Sequence, residues 1–394
     1  MSADVHIHEN TDCLANTYSR YPVLLVRGDG ARVWDSDGKE YIDFVAGIAV
    51  CNLGHCHPKA VKALEEQARK LIHCSNLYFI EPQIELAKRL CNHSFGERVF
   101  FCNSGAEANE AAIKLARKWA TERYGGDRYE IITMHNSFHG RTMGALSATG
   151  QQKFHKGFGP LLPGFKYVPF DDMEAIAQAI GPQTCAVMVE PIQGEGGVRI
   201  PSADYLTALR ILCDEKGILL IYDEVQVGMG RTGTLFAYQQ YGAPPHIMTL
   251  AKSLANGVPI GAMVATNDVA QAFSPGSHAS TFGGNPLATS VGCAVFDTLL
   301  EDGVLANCQE MGLYLRSALS DMKEKHKGIK DVRGKGLIVG VELEYSGKEI
   351  VDRCLQRGIL INCTMDTVLR FIPPLIITRE DVDCLLTTLD DVLG

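Results

Sequence analysis

Between about residues 51 and 285, short apolar runs alternate with stretches of helical spacing, and no other feature of the chain restricts its fold as much. The runs lie at 99–102, 131–134, 186–189, 218–222, 247–250 and 260–265. They are shorter than the ~10 residues a buried helix needs, and too continuously apolar for strands with one wet face. They read as strands buried on both sides. The segment 108–123, with apolar residues at helical spacing, supplies one of the connections. Strands of this kind separated by helices make a mainly parallel α/β sheet wrapped on both faces.

The two ends of the chain read differently. Val33-Trp34 and Tyr41-Ile42 flank Asp37-Gly38, a two-strand turn signal, so residues 1–50 are expected to form an arm and a small hairpin. From 286 onward a long helical stretch precedes strand-like segments at 336–343 and 369–372, the pattern of a smaller α+β unit. At roughly 150 residues per domain, 394 residues suggest two domains. We expect a large domain at 51–285 and a small one built from 1–50 and 286–394.

Several classes are disfavoured. A formal charge of -9 opposes nonspecific binding to nucleic acid or anionic lipid. It also means that an anionic substrate requires local arginines. The 13 cysteines are scattered, with no C-x-x-C, against a disulfide framework or zinc site. The first ten residues lack the basic flank and apolar core of a signal peptide, and no apolar run approaches the ~20 residues of a membrane helix. A cytoplasmic protein without membrane contact is expected.

In open parallel sheets, ligands bind beyond the C-terminal strand ends, so the residues just past each strand matter most. After 99–102 come Asn103, Ser104, Gly105 and Ala106 and then a helix. Such a turn brings backbone N–H groups to a phosphate, although a plain Ser-capped turn looks the same. The strand 218–222 ends in Asp223-Glu224. This buried acidic pair is either a cap or salt bridge, or the partner of a protonated ring nitrogen. Lys252 comes almost directly after the strand 247–250, where burial would lower its pKa and free the amine. After 131–134, Phe138 can stack on a ring and Arg141 can grip a carboxylate. His135 and His139 stand at i, i+4 but without the Glu of H-E-x-x-H, so no metal is expected. A phosphate cradle, an aromatic–Arg pair, an Asp and a Lys at neighbouring strand ends form one binding set.

These residues carry a resemblance. Ser104-Gly105-Ala106, Phe138-His139-Gly140-Arg141, Asp223-Glu224-Val225-Gln226, Lys252 and Ser280-Thr281-Phe282-Gly283-Gly284-Asn285-Pro286 are similar to the motifs of class III aminotransferases. The similarity runs from about residue 21 to the C-terminus and is closest to the acetylornithine branch of that family. It implies the pyridoxal 5'-phosphate (PLP) fold type I, with a seven-stranded, mainly parallel sheet. PLP is expected to be covalently joined to Lys252, with its phosphate on Gly105 and Ala106 and its ring against Phe138. By the same resemblance Asp223 pairs the ring nitrogen, Gln226 lies near the 3-hydroxyl, and Glu224 and Val225 belong to the same cofactor-binding run. Thr281 reaches the cofactor of a neighbouring subunit, which implies a homodimer with shared sites. Ala279 and Ser253 stand where relatives often carry Gly, and both additions are small.

The implied reaction is a ping-pong transamination from an amine such as N2-acetyl-L-ornithine to 2-oxoglutarate, the cofactor alternating between aldehyde and amine forms. Arg141 and Ser280 are expected at the substrate, and Arg370 at the acceptor's α-carboxylate. Glu195 resembles a family residue that masks Arg370 while the donor binds; a loop carboxylate in water is the alternative. Ornithine, succinylornithine and 4-aminobutyrate remain rival donors, and a PLP-dependent aminomutase a rival activity. A nicotinamide site is disfavoured, because the glycines Gly334, Gly336 and Gly340 lead into a strand-like run.

Overall fold

The computed structural model describes residues 13–394, so the start of the expected N-terminal arm, residues 1–12, lies outside the described residues. Among the described residues fifteen strands form three sheets. The central sheet has seven: β4 (Arg98–Cys102), β5 (Glu130–Met134), β6 (Phe165–Val168), β7 (Thr184–Val189), β8 (Leu219–Asp223), β9 (Ile247–Leu250) and β10 (Gly261–Ala265). Their order is β4-β10-β9-β8-β7-β5-β6, and β10 alone runs antiparallel to its neighbours. The mainly parallel α/β sheet read from the sequence is the one observed.

Burial on both faces is visible residue by residue. Ala186, Met188, Leu219 and Ile221 pack in one core with the helix Gly105–Tyr124, while Val187, Val189, Leu220 and Tyr222 enter the core on the other face. Every residue of β5, β7, β8, β9 and β10 is buried. β6 has no apolar run to announce it because it is an edge strand: Phe165 and Tyr167 are half-buried and Lys166 is exposed, leaving only Val168 fully covered.

The helix Gly105–Tyr124 starts three residues before its apolar periodicity does, because Ser104 caps it by accepting the Glu107 N–H at 3.2 Å. Its buried stripe runs through Ala108, Ala111, Ala112, Leu115, Ala116 and Trp119. Truncating Leu115 to Ala would cost about 2–5 kcal/mol.

The remaining strands are β1 (Leu25–Asp29), β2 (Arg32–Asp35) and β3 (Glu40–Asp43) near the N-terminus, and β11 (Ile329–Lys335), β12 (Ile338–Leu343), β13 (Ile359–Leu360), β14 (Asn362–Thr364) and β15 (Val368–Phe371) near the C-terminus. The expected hairpin is β2–β3, with Val33 opposite Tyr41. The two chain ends meet in one sheet, where β13 runs parallel to β3 with Ile359 beside Ile42. The glycines Gly334 and Gly336 lie in the β11–β12 hairpin, with Gly334 opposite Val339, and not in a strand-to-helix turn. Among the described residues no helix is long and apolar enough to cross a membrane.

Candidate active site

A cavity of ≈ 410 Å³ opens at the C-terminal ends of β5, β7, β8 and β9, within the range of small-ligand sites. Gly105, Ala106, Phe138, Arg141, Glu195, Asp223, Val225, Gln226 and Lys252 all line it. Residues more than 140 positions apart are gathered there because each comes after a strand of one sheet.

Lys252 begins a short 3-10 turn, Lys252–Ala255, one residue after β9. Its φ of 47° lies in the left-handed region, a strained conformation for a residue with a Cβ. The turn is held by buried Ser253, Leu254 and Ala255, and by Asn256, which accepts the Leu53 N–H and donates to the Gly54 carbonyl, both at 2.9 Å. Burial lowers the pKa of the Lys252 amine, outweighing the opposing pull of Glu195.

Asp223, at the end of β8, is buried and fixed by three partners. Its Oδ2 accepts the Asn109 amide at 2.7 Å and lies 2.8 Å from His139 Nδ1, and its Oδ1 accepts the Val225 N–H at 3.0 Å. Asn109 is fixed in turn by Thr249, whose hydroxyl donates to its Oδ1 at 2.7 Å. His139 thus serves the aspartate.

Glu224 turns away. Its carboxylate caps the backbone N–H groups of Ala237 and Tyr238 at 2.6 and 2.8 Å and lies outside the cavity lining. Burial nevertheless pushes it up to about 7. The acidic pair therefore divides, one acid toward the cavity and one into structure.

Arg370, on β15, is buried behind Glu195. Its Nη1 donates to Glu195 Oε1 at 2.6 Å and to Gln226 Oε1 at 3.2 Å, and its Nε to Asn362 Oδ1 at 3.2 Å. Burial alone would raise the Glu195 carboxyl, but Arg370 and Lys252 hold it below its ordinary value. Ser280 and Thr281 line a second cavity, with Ser75, Asn76 and Leu77. The Ser280 hydroxyl closes its own loop, accepting from Asn103 Nδ2 and Gly283 N.

One cavity residue carries no motif in the sequence. Glu190 comes directly after β7 and Asp223 ends β8; Val189 pairs with Tyr222, so the two acids stand level on adjacent strands. Its Oε2 accepts the Phe138 N–H at 3.1 Å. Burial and then the neighbouring Asp223 hold its pKa well above the ordinary value. A signal exists all the same: an acid directly after a buried strand, the same pattern that singles out Asp223.

The chain fits a phosphorylated aromatic aldehyde. Among the described residues no protein acceptor takes the N–H groups of Gly105 and Ala106, which open a helix N-terminus on the cavity. A Cβ on Gly105 would approach Val225 Cγ1 to 2.7 Å, so glycine permits this close turn.

The model of the family described as Aminotransferase class-III matches residues 13–393. The chain belongs to the class III aminotransferases. Within the family it is 58% identical over 382 residues to the acetylornithine aminotransferase of Caldanaerobacter subterraneus subsp. tengcongensis, covering 97% of each chain. Two solved structures share its fold. An ornithine aminotransferase from Toxoplasma gondii, crystallised with oxidised glutathione and holding PLP at partial occupancy in its active site, superposes with a TM-score of 0.96 at 36% identity, covering 100% of this chain and 94% of that one. The N-acetylornithine aminotransferase from Stenotrophomonas maltophilia K279a gives 0.84 at 41% identity, covering 98% and 97%.

Proposed function

We propose that this aminotransferase transfers the δ-amino group of N2-acetyl-L-ornithine to 2-oxoglutarate, giving N-acetylglutamate 5-semialdehyde and glutamate, with PLP joined to Lys252. The observation that carries the chemistry is one cavity lined by both the Lys252 amine, its pKa lowered, and a triply hydrogen-bonded Asp223. The 58% identity to an acetylornithine aminotransferase favours the acetylated donor over ornithine.

When bound, PLP supplies an aldehyde that takes up the amino group and a ring that accepts the electron pair released at the adjacent carbon. The helix N-terminus at Gly105 and Ala106 holds the phosphate, and Phe138 covers the ring with Val225 in the same lining. Asp223, oriented by Asn109 and His139, keeps the ring nitrogen protonated. Lys252, whose amine has its pKa lowered by burial, would be the group that holds and moves a proton at the donor carbon. Arg141 binds the donor's carboxylate. Arg370 binds the α-carboxylate of 2-oxoglutarate after Glu195 swings aside, and Gln226, which contacts both, lies near the 3-hydroxyl of the cofactor ring.

The second cavity and the exposed apolar side chains Leu77, Phe79 and Phe282 around it support a homodimer in which Thr281 completes the partner's phosphate site. The pairing of β3 with β13 supports a small domain made of 1–50 and 286–394 beside a large one at 51–285. We place the enzyme in the cytoplasm.

The test is to add N-acetylornithine, ornithine and 4-aminobutyrate separately to the PLP-loaded protein and monitor the bound cofactor's absorption. Rapid loss with N-acetylornithine and recovery with 2-oxoglutarate establish donor and cycle together. Preference for another amine moves the activity to a sibling. Absence of a protein-bound cofactor band overturns the role of Lys252.

A further inference from the structure

Two guanidinium groups at this site are mounted in different ways. Arg370 is buried and gives its N–H groups to a carboxylate and two amide oxygens. Arg141 is exposed, and among the described residues no protein acceptor takes any of its N–H groups. What it meets are two aromatic rings. Its Cζ lies 4.0 Å from the ring centroid of Phe154 and 5.5 Å from that of Phe138. The rings pack edge to face, 5.8 Å apart at 82°, and the guanidinium lies against both. The Lys153 ammonium rests on Phe154 as well, at 4.9 Å.

Phe154 is itself held in place. It lies in the short helix Gln152–His155, anchored at one end by Gln151, whose amide donates to the carbonyls of Asn136 and Ser137 at 3.2 and 3.0 Å. At the other end His155 Nε2 lies 2.7 Å from the Thr149 carbonyl.

The two mounts have different consequences. A carboxylate fixes a guanidinium but neutralises it and occupies its donors. An aromatic face attracts the cation through its quadrupole and orients its plane, leaving the charge and the N–H fork available. That is the condition for gripping a carboxylate bidentately in an acidic protein.

We propose that Phe154 is a positioning residue that sets the Arg141 fork and so selects donors whose carboxylate is remote from the transferred amine. The role rests on the reading of Arg141 as the donor's carboxylate partner. Phe154 lies outside the cavity lining, and its contact with the site proposed here is through Arg141.

The test compares Phe154→Leu, Phe154→Met and Phe154→Tyr in the PLP-loaded enzyme, each half-reaction measured separately by rapid mixing. Loss of the ring face in the Leu and Met variants is expected to weaken N-acetylornithine binding about 3- to 10-fold. The limiting rate and the 2-oxoglutarate half-reaction should be unchanged, and Phe154→Tyr should restore the wild-type constant. N-acetylnorvaline, the donor without its reactive amine, should show the same ratio by calorimetry, independently of turnover. Parallel weakening toward donor and acceptor, or no change in the two ring-less variants, overturns the proposal. Arg141→Ala separates the readings. If it leaves N-acetylnorvaline binding unchanged, the assignment of Arg141 has failed. If it weakens binding while Phe154→Met does not, only the role of Phe154 has.

Discussion

Glu195 and Arg370 form a 2.6 Å ion pair in which the cation is 1% exposed and the carboxylate, 28% exposed, faces the cavity. A carboxylate entering from solvent therefore meets the glutamate before it meets the arginine. Removing Glu195 by Glu195→Ala should uncover a second anion site for the donor. Discrimination between N-acetylornithine and amines carrying a carboxylate next to the reactive carbon should fall roughly tenfold. The buried cation, left with amide partners only, should also lower stability by about 3 kcal/mol. Competition kinetics with unchanged donor preference would remove the masking role.

Lys252 makes the pH response of the cofactor-free protein measurable. Burial lowers its pKa from 10.5, so between the folded value and 10.5 the unfolded chain binds more protons than the folded one. Stability attributable to this group therefore rises with pH across that interval and is independent of pH below the folded value and above 10.5. Lys252→Met should abolish covalent cofactor attachment and flatten that slope in denaturant unfolding series. A slope identical in wild type and variant would mean that the amine is not desolvated.

Glu190 has the opposite sign. Its folded pKa is raised above 4.5, so its favourable contribution is complete below 4.5 and is lost as pH rises through the folded value. Glu190→Gln keeps the acceptor for the Phe138 N–H and removes the titration. It should stabilise the cofactor-free protein by about 1–2 kcal/mol at about pH 8 and by much less at about pH 5. Equal effects at the two pH values would show that the acid does not titrate between them.

For Asp223, replacement by Asn retains size but removes the charge, and it puts an NH2 donor where one of the two accepting oxygens met an N–H. Asp223→Asn should reduce turnover at least about 10²-fold while leaving the fold intact, and should shift the absorption spectrum of the bound cofactor. Turnover within a few-fold of wild type would contradict its pairing with the ring nitrogen.

Gly105→Ala addresses the phosphate cradle. The added Cβ meets Val225, so PLP affinity should fall about tenfold or more in equilibrium titrations. Val225→Ala in the same chain should recover part of that loss, because it removes the methyl groups that obstruct.

The strands that position the site are legible because they are buried on both faces: 218–222 and 247–250 offer no other reading. Their ends are legible for the same reason, since Asp223 and Lys252 are conspicuous after apolar runs. The edge strand β6 is hidden by its half-exposed alternation, and the C-terminal strand β13 by its length of two residues. The destination of Glu224 requires the fold, because its partners, Ala237 and Tyr238, lie 13 and 14 residues away on a segment with no local signal. Phe154 gives no signal either, since only tertiary structure brings its ring under Arg141.

Gly105 and Asn109 sit four residues apart on one helix, a rise of roughly 6 Å set by backbone geometry alone. The first lies at the proposed phosphate end and the second grips Asp223 at the proposed ring-nitrogen end. The two ends of the ligand are thus gauged by a single rigid rod, and breathing of the surrounding core leaves the gauge unaltered. One residue inserted between them would turn the amide by about 100° and take it off the acid. In this turn of helix the chain accordingly has no tolerance of length.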